Sequence, residues 1–189
     1  WHAVQHVRDD DAQGRMLIGM IRNGISAICM HTNLDIASGG VNDVLANTVG
    51  LLDCHTLGNE QLLRCGTLEQ SCSLPMFAAH ITRVLGCHGL RYADGGKPVY
   101  RIAVGGGSCG DSWREVLTAG CDTFLTADIK YHDFLDAASA GLNLIDAGHF
   151  ETEDPVCVAV IQYLREVFPA LQIEKSSHRG VIHYYTEGE

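Results

Sequence analysis

The sequence of 189 residues lacks the cysteine pattern and the long apolar runs that define two large classes of protein. None of its eight cysteines forms a C-x-x-C pair, and several lie inside apolar runs, as small buried hydrophobic residues do. We recognise no secretory signal peptide, so we predict reduced thiols in a cytoplasmic protein rather than a disulfide scaffold. No apolar run approaches the roughly 18 residues of a transmembrane helix, so no contact with a membrane is predicted.

Basic residues are scarce and scattered, which limits the partners that we expect. The 13 lysines and arginines are outnumbered by 23 aspartates and glutamates, and they form no basic stripe in a chain of net charge −10. Nucleic acid held through its phosphates is therefore not expected. A bound metal ion would locally reverse the negative field for a phosphorylated small molecule.

The composition and the order of segments indicate a globular α/β protein. The chain is 46% hydrophobic with 21 glycines, and its length is enough for one domain or two small lobes. Strand-like and helix-like segments alternate, which predicts βαβ units and an at least partly parallel sheet. We predict strands near 25–30, 61–68, 88–93, 99–104, 123–126, 142–146, 171–174 and 181–185, and helices near 9–22, 40–49, 74–85, 112–119, 128–140 and 154–168.

The stretch D-A-G-H-F-E-T-E at 146–153 is the feature from which we infer a site. An apolar run ends here and a periodic segment begins, which predicts a strand followed by a helix with Thr152 or Asp154 as its cap. His149 and Glu153 then lie at the carboxyl end of a strand, where open α/β sheets bind their ligands. Taken alone, such a pair is more often simply solvated.

A second polar cluster, H-T-N-L-D at 31–35, strengthens the inference. It follows the apolar run 25–30, so we also expect it at the carboxyl end of a strand. Two clusters of oxygen and nitrogen donors at equivalent strand ends could supply the ligands of a divalent metal.

The glycine-rich stretch at 104–110 allows two interpretations. Its glycines could let backbone N–H groups approach an anion, or they could simply form a tight turn between strand and helix. It is neither a P-loop, because no lysine follows, nor a dinucleotide fingerprint. Catalysis by Ser108 is not favoured without a G-x-S-x-G elbow, and Cys109 has no assignable partner histidine.

Three ionisable residues alternate just before a predicted helix. Asp128, Lys130 and His132 offer a carboxylate, an ammonium and an imidazole, which suits acid/base chemistry or the support of a metal ligand. The same spacing is equally typical of a solvated helix start.

Four motifs, in order, resemble those of the dinuclear-metal family of GTP cyclohydrolase I type 2 homologs, an interacting-factor-3-like family. The R-C-G run at 64–66 is also similar to an R-[IV]-G turn of that family. The four motifs are H-T-N-L-D at 31–35 with G-G-V-N-D at 39–43, the glycine-rich stretch at 104–110, T-A-D-I-K-Y-H at 126–132 against T-G-[DE]-x-K-H-H, and G-H-F-E-T-E at 148–153 against G-H-[YF]-x-[ST]-E.

The resemblance implies a set of site residues. Asp35, His149 and Glu153 fall on family metal ligands, and His31 is a weaker ligand candidate because it opens the same motif as Asp35. The cofactor would be two divalent ions, with Zn, Fe, Mn and Mg all compatible. Catalytic protons would come from Asp128 or His132.

The resemblance also implies a function and an assembly. We expect a metal-dependent hydrolase whose paired ions activate water, with a purine nucleotide as one candidate small-molecule substrate. We further expect two similar α/β lobes, placed at 1–60 and 61–189, with partly parallel sheets flanked by helices. The family's self-association implies a ring-shaped homohexamer with metal sites facing an inner cavity. The alternatives are a metal-binding scaffold or regulatory protein without catalysis, and a ligand-binding module that uses the glycine loop.

The chain departs from the family pattern at two places. The remaining family ligands are an adjacent histidine pair in an H-H-P motif, located before the segment that residues 1–15 resemble. We therefore expect the chain to lack the family's first α/β portion. His2 and His6 are not adjacent to each other, so we do not assign them as replacements for the histidine pair. In the third motif, Ala127 replaces a glycine and Tyr131 replaces the first histidine.

Overall fold

A computed structural model of the chain describes residues 4–58 and 60–185. These residues divide into two compact units, one ending at His31 and the other beginning at Thr32. The placement of lobes at 1–60 and 61–189 stays a prediction. Among the described residues, no helix combines the length and the apolar character needed to cross a membrane.

The N-terminal unit contains helix α1 (Ala12–Arg22). Asp11 caps it by accepting a hydrogen bond from the Gly14 N–H at 2.6 Å, and Asn23 ends it by donating its side-chain amide to the Gly19 carbonyl at 2.8 Å. The helix predicted near 9–22 is thus confirmed, and polar side chains cap both of its ends.

The strand predicted over residues 25–30 is wrong. This segment is irregular, and Ile25 and Ile28 expose 57% and 88% of their surface. Apolar alternation creates a face that can be buried, but a strand also needs a neighbouring backbone for its hydrogen bonds. Within the described residues no strand pairs with this segment.

The larger unit is built on one six-stranded sheet, as the mixed α/β class predicts. The sheet order is β1-β2-β4-β5-β6-β3, in which β4, β5 and β6 are parallel to each other and all other pairs are antiparallel. The strands are β1 (Leu52–Leu57), β2 (Leu63–Cys72), β3 (Arg91–Ala93), β4 (Val99–Val104), β5 (Thr123–Thr126) and β6 (Asn143–Asp146).

Helices follow the strands at nearly all predicted places. A short 3₁₀ turn at Gly110–Ser112 leads into one of them, and Gly86 ends another in the left-handed conformation at φ +68°, as expected of a helix-terminating glycine. The helices are α2 (Thr32–Ile36), α3 (Val41–Thr48), α4 (Leu74–Leu85), α5 (Trp113–Thr118), α6 (Tyr131–Ser139), α7 (His149–Glu153) and α8 (Pro155–Val167).

Two apolar layers cover the two faces of the sheet, because successive strand residues point to opposite sides. On β4, Ile102 and Val104 face the layer that contains α3 and α4, whereas Ala103 faces the layer that contains α5 and α6. The same alternation recurs on β5 and β6. The parallel strands are therefore buried on both sides, and this rigid layer supports the loops at their carboxyl ends.

The two strands predicted near the C-terminus, 171–174 and 181–185, do not form. In the part of the chain that is described, these segments are irregular and pair with no strand, and Val181 and Tyr185 expose 80% and 90% of their surface. Strand β1, by contrast, was not predicted, because Leu52–Leu57 has no clear apolar alternation.

A buried arginine ties the connection between α2 and α3 to the sheet. The Arg64 side chain is 4% exposed and pairs with Asp43 on α3. It also donates to the Gln61 carbonyl at 2.9 Å and to the Ile36 carbonyl at the end of α2 at 3.1 Å. Asp43 in turn accepts from the Gly39 N–H at 2.7 Å. This network fixes the segment that follows Asp35.

We predict that Arg64→Gln lowers the free energy of unfolding by about 3 kcal/mol, because it leaves Asp43 and two carbonyls without their charged partner. Urea denaturation measures the change. The matched control is Arg114→Gln, whose pair with Asp136 is exposed at 66% and 53%. The control should lose less than about 1 kcal/mol. An equal loss of unfolding free energy in both variants would contradict the stabilising role of Arg64.

Candidate functional site

The candidate residues gather at one edge of the sheet because three parallel strands end there. Strands β4, β5 and β6 are hydrogen-bonded in register, so the loops that follow them are neighbours. The glycine-rich loop follows β4, Asp128 follows β5, and His149 follows β6. The edge at which the carboxyl ends of parallel strands meet is where open α/β sheets bind ligands, as the sequence predicts for His149.

His149 lies between two carboxylates. Its Nδ1 donates to Oδ2 of Asp128 at 2.6 Å, and its Nε2 lies 3.2 Å from Oε1 of Glu153, one helical turn further along α7. The three side chains are each between 41% and 48% exposed. Asp128 reaches the ring from a left-handed backbone at φ +54°, a conformation that aspartate tolerates better than most residues.

The charge around the imidazole is set by these neighbours. Partial burial lowers the pKa of His149, whereas the hydrogen bond to Asp128 and the charge of Glu153 raise it, and the net pKa lies above its ordinary value. Two carboxylates therefore compete for the positive charge of one ring. Their two negative charges exceed the single positive charge that the ring can carry.

Asp146, at the end of β6, positions both loops that carry these residues. One carboxylate oxygen accepts from the Ile129 N–H at 3.2 Å, next to Asp128, and the other accepts from the Gly148 N–H at 3.2 Å, next to His149. The side chain is 8% exposed and pairs with Arg91 of β3. Sequence reasoning gave Asp146 no role, because its partners are known only from the strand register.

The glycine-rich loop is a tight turn rather than an open anion cradle. The Gly105 N–H donates to the Leu125 carbonyl at 3.0 Å, and the Gly106 N–H to Oδ1 of Asn42 at 2.7 Å. The Gly107 N–H donates to Oγ1 of Thr152 at 3.0 Å. These donors are already used inside the protein, which favours the turn interpretation over phosphate binding.

Asn42 and Thr152 hydrogen-bond to the glycine-rich loop beside the site; nothing in the sequence indicates the first contact, and Thr152 was expected to be a helix cap. Asn42 is fully buried, and its amide also donates to the Leu62 carbonyl at 2.7 Å, so it joins α3 to the glycine loop and to β2. The hydroxyl of Thr152 donates to the Gly148 carbonyl at 2.9 Å and does not cap α8. Asp154 occupies the N-cap position of α8 without a capping hydrogen bond.

Asp35 approaches the site from a different element than expected. It lies in α2, so the expectation that its motif follows a strand is wrong, because residues 25–30 form none. Burial, together with the negative charges of Asp35 and Glu153, raises the pKa of Cys109 to about 11. Both carboxylates therefore lie close to this thiol, beside the glycine loop. The raised pKa also argues against a catalytic Cys109 thiolate.

The remaining candidates lie at the starts of α2 and α6. His31 is the last residue of the N-terminal unit and directly precedes α2 in the sequence. His132 is exposed in the first turn of α6. The ring of Tyr131 packs edge-on against its imidazole, with the two ring centroids 5.9 Å apart. Lys130 pairs with Asp111 at 2.8 Å.

The donor chemistry fits a divalent cation, although the side chains are not closed around one. Imidazole and carboxylate are suitable ligands, and an imidazole held by a carboxylate through its other nitrogen is typical of metal-binding histidines. Within residues 4–58 and 60–185, no three histidine, cysteine, aspartate or glutamate side chains already form a group that could hold a metal. Binding would require these side chains to move.

The family to which the chain belongs follows from a match to a known family model. Residues 1–179 match the family model described as Duf34/NIF3 (NGG1p interacting factor 3). The chain belongs to the Duf34/NIF3 family. The resemblance drawn from the four motifs is therefore confirmed at the level of the family.

Relatives of this Duf34/NIF3 chain extend beyond the matched region. It is 32% identical to a GTP cyclohydrolase 1 type 2 homolog of Clostridium perfringens over 85% of the chain and 64% of that protein. It is 34% identical to the homolog of Lactococcus lactis, over 73% of the chain and 55% of that protein. The chain thus spans less than two thirds of each. A Staphylococcus aureus hypothetical protein has the same fold, with a TM-score of 0.87 and 25% identity over 97% of this chain and 76% of that one.

We predict that Gly107→Ala displaces the Glu153 carboxylate, because the added Cβ would lie 2.4 Å from Oε1 of Glu153 and 3.2 Å from Nε2 of His149. Gly107 has φ +63°, so a backbone penalty of about 1 kcal/mol is also expected. The Gly120→Ala control has φ +77° and no atom within 4 Å of the added Cβ.

Both variants should therefore lose similar stability in denaturant unfolding. Only Gly107→Ala should shift the imidazole NMR signals of His149. The same His149 spectrum in Gly107→Ala as in the unmodified chain would contradict the contact.

Proposed function

We propose that this Duf34/NIF3 chain supplies part of a dinuclear divalent-metal centre that activates water for hydrolysis. Asp35, His149 and Glu153 are the proposed ligands, and His31 is a further candidate. Zn, Fe, Mn and Mg all suit this mixture of imidazole and carboxylate. The sequence contains no adjacent histidine pair, so the chain itself accounts for only part of the family's ligand set.

The observation that carries the proposal is the placement of His149 between Asp128 and Glu153. With Nδ1 held by Asp128 at 2.6 Å, the ring is fixed in one orientation and Nε2 is directed to the side where Glu153 lies. A carboxylate partner of this kind fixes the tautomer and raises the basicity of a metal-binding imidazole.

Bound divalent ions would supply a water of lowered pKa and a clamp for developing negative charge. The chain's own residues orient the ligands and move protons. Asp128 holds the ring of His149, so we assign Asp128 a positioning role and propose His132 as the donor of a proton to a leaving nitrogen. The exposed position of His132 at the start of α6 allows it to meet a substrate.

Ring-opening hydrolysis of a purine nucleotide is the proposed reaction. It requires attack by water and protonation of a leaving nitrogen, which this set of residues can serve. The name of the curated relatives, GTP cyclohydrolase 1 type 2 homolog, supports this choice. A ring-shaped homohexamer in the cytoplasm, with sites facing an inner cavity, is part of the same proposal.

We predict that Asp35→Ala weakens metal binding by at least about tenfold. Removing a residue that only hydrogen-bonds to a metal ligand typically weakens binding by about that factor, and removing a ligand itself should weaken it at least as much. The full chain is dialysed against zinc, and its metal content is measured by elemental analysis. The melting temperature should change little, because Asp35 lies in a short surface helix. The control is Asp136→Ala, an exposed carboxylate on α6.

Unchanged metal content in Asp35→Ala would remove Asp35 from the ligand set. Metal binding that depends on Asp35 but is accompanied by no hydrolysis of purine nucleotides would instead support the metal-binding scaffold. Nucleotide binding that survives complete chelation of metal would support the ligand-binding module.

We predict that Asp128→Ala weakens zinc binding about 10- to 100-fold without altering the number of ions bound at saturation, because it frees the His149 ring while leaving the proposed ligands in place. Calorimetric titration of the full chain with zinc measures both quantities. Lys130→Ala, a neighbouring charged residue whose partner is Asp111, is the control. Equal affinity in Asp128→Ala and the control would contradict the positioning role.

A further inference from the structure

Two cysteines from distant parts of the chain meet in the core, away from the candidate site. Cys65 lies on β2, and Cys121 lies just before β5, at the opposite end of that strand from Asp128. Their Sγ atoms are 3.2 Å apart, and the residues are 0% and 2% exposed. A disulfide has an S–S bond of about 2.05 Å, so the sulfurs need approach by only roughly 1.1 Å to form one.

Arg101 of β4 adjoins this pair and favours its ionised form. The hydrogen bond from the Cys121 thiol lowers the pKa of Cys65, burial opposes this effect, and the positive charge of Arg101 supports it. The Nε of Arg101 is buried and makes no hydrogen bond within the described residues. A buried donor without a partner is uncommon in folded proteins, and a thiolate beside it would interact with it favourably.

We propose that Cys65 and Cys121 are a redox-modification site at which hydrogen peroxide forms a reversible disulfide. The Cys65 thiolate attacks one peroxide oxygen and becomes a sulfenic acid, and hydroxide leaves. The Cys121 sulfur then attacks the Cys65 sulfur, the S–S bond forms, and the sulfenic oxygen leaves as water. Two thiols lose two electrons and two protons, and one peroxide becomes two waters. Peroxide reaches the pair through local opening of the structure.

Two other buried cysteines provide an internal comparison. Cys87 donates to the Ala147 carbonyl at 3.3 Å, and Cys109 donates to the Gly106 carbonyl at 3.4 Å. Burial raises the pKa of each to about 11. These thiols stay protonated at neutral pH, and their bonds are to carbonyl oxygens rather than to a second sulfur. They should resist the oxidation that joins Cys65 to Cys121.

The test treats the full chain with hydrogen peroxide at neutral pH, followed by digestion and mass spectrometry without reductant. The expected product is a linked peptide pair containing Cys65 and Cys121, lighter by two hydrogen atoms and separated again by dithiothreitol. The oxidised protein should melt at a higher temperature, because the bond closes a long loop in the unfolded chain. Absence of the linked pair while the protein remains folded would overturn the proposal.

Variants separate this site from non-specific oxidation. Arg101→Gln should slow formation of the linked pair several-fold, and Arg101→Lys should restore much of the rate, because each acts on the thiolate charge. Cys121→Ala should leave Cys65 as a sulfenic acid that a dimedone probe traps, and Cys157→Ala, which removes an exposed thiol, should change nothing. Disulfide formation at the same rate in Arg101→Gln as in the unmodified chain would contradict the mechanism. Oxidation of the Cys87 or Cys109 thiol before the Cys65–Cys121 pair has formed would contradict it as well.

Discussion

The geometry of the candidate site depends on one buried carboxylate, that of Asp146. Its two oxygens accept hydrogen bonds from backbone groups beside Asp128 and His149, and its charge is balanced by Arg91. A buried charge of this kind is stable only when it is paired and hydrogen-bonded on all sides. Asp128 and His149 meet because both loops are tied to the same side chain, which in turn is held by the pairing of β6 with β3.

The glycine-rich loop serves this arrangement through its lack of side chains rather than through its backbone donors. Its N–H groups are bonded to Asn42, Thr152 and the β5 backbone, so they help to hold α3 and α7 against the sheet. Gly107 leaves the space that Glu153 and His149 occupy. The loop therefore packs the site closely without itself providing an anion pocket.

Much of the sheet could be predicted from sequence, because β4, β5 and β6 are buried on both faces and appear as short apolar runs bounded by glycine and aspartate. The locations of Asp128 and His149 follow from those strand ends. The role of Asp146 could not be predicted, since it depends on a β3–β6 pairing between segments more than fifty positions apart. The strand predicted from the apolar run at 25–30 is wrong because an apolar pattern shows only that one face could be buried. It does not show whether another strand is available to pair with the segment. Asp35, which was expected to follow that strand, lies instead in the short helix α2.

The charges at the sheet edge bear on why a cation would be favoured there. Asp128 and Glu153 flank one imidazole that can carry at most one positive charge, and the charges of Asp35 and Glu153 both act on the nearby Cys109 thiol. Like charges held close together at a partly buried site repel one another. A divalent ion would remove this repulsion by binding the same groups.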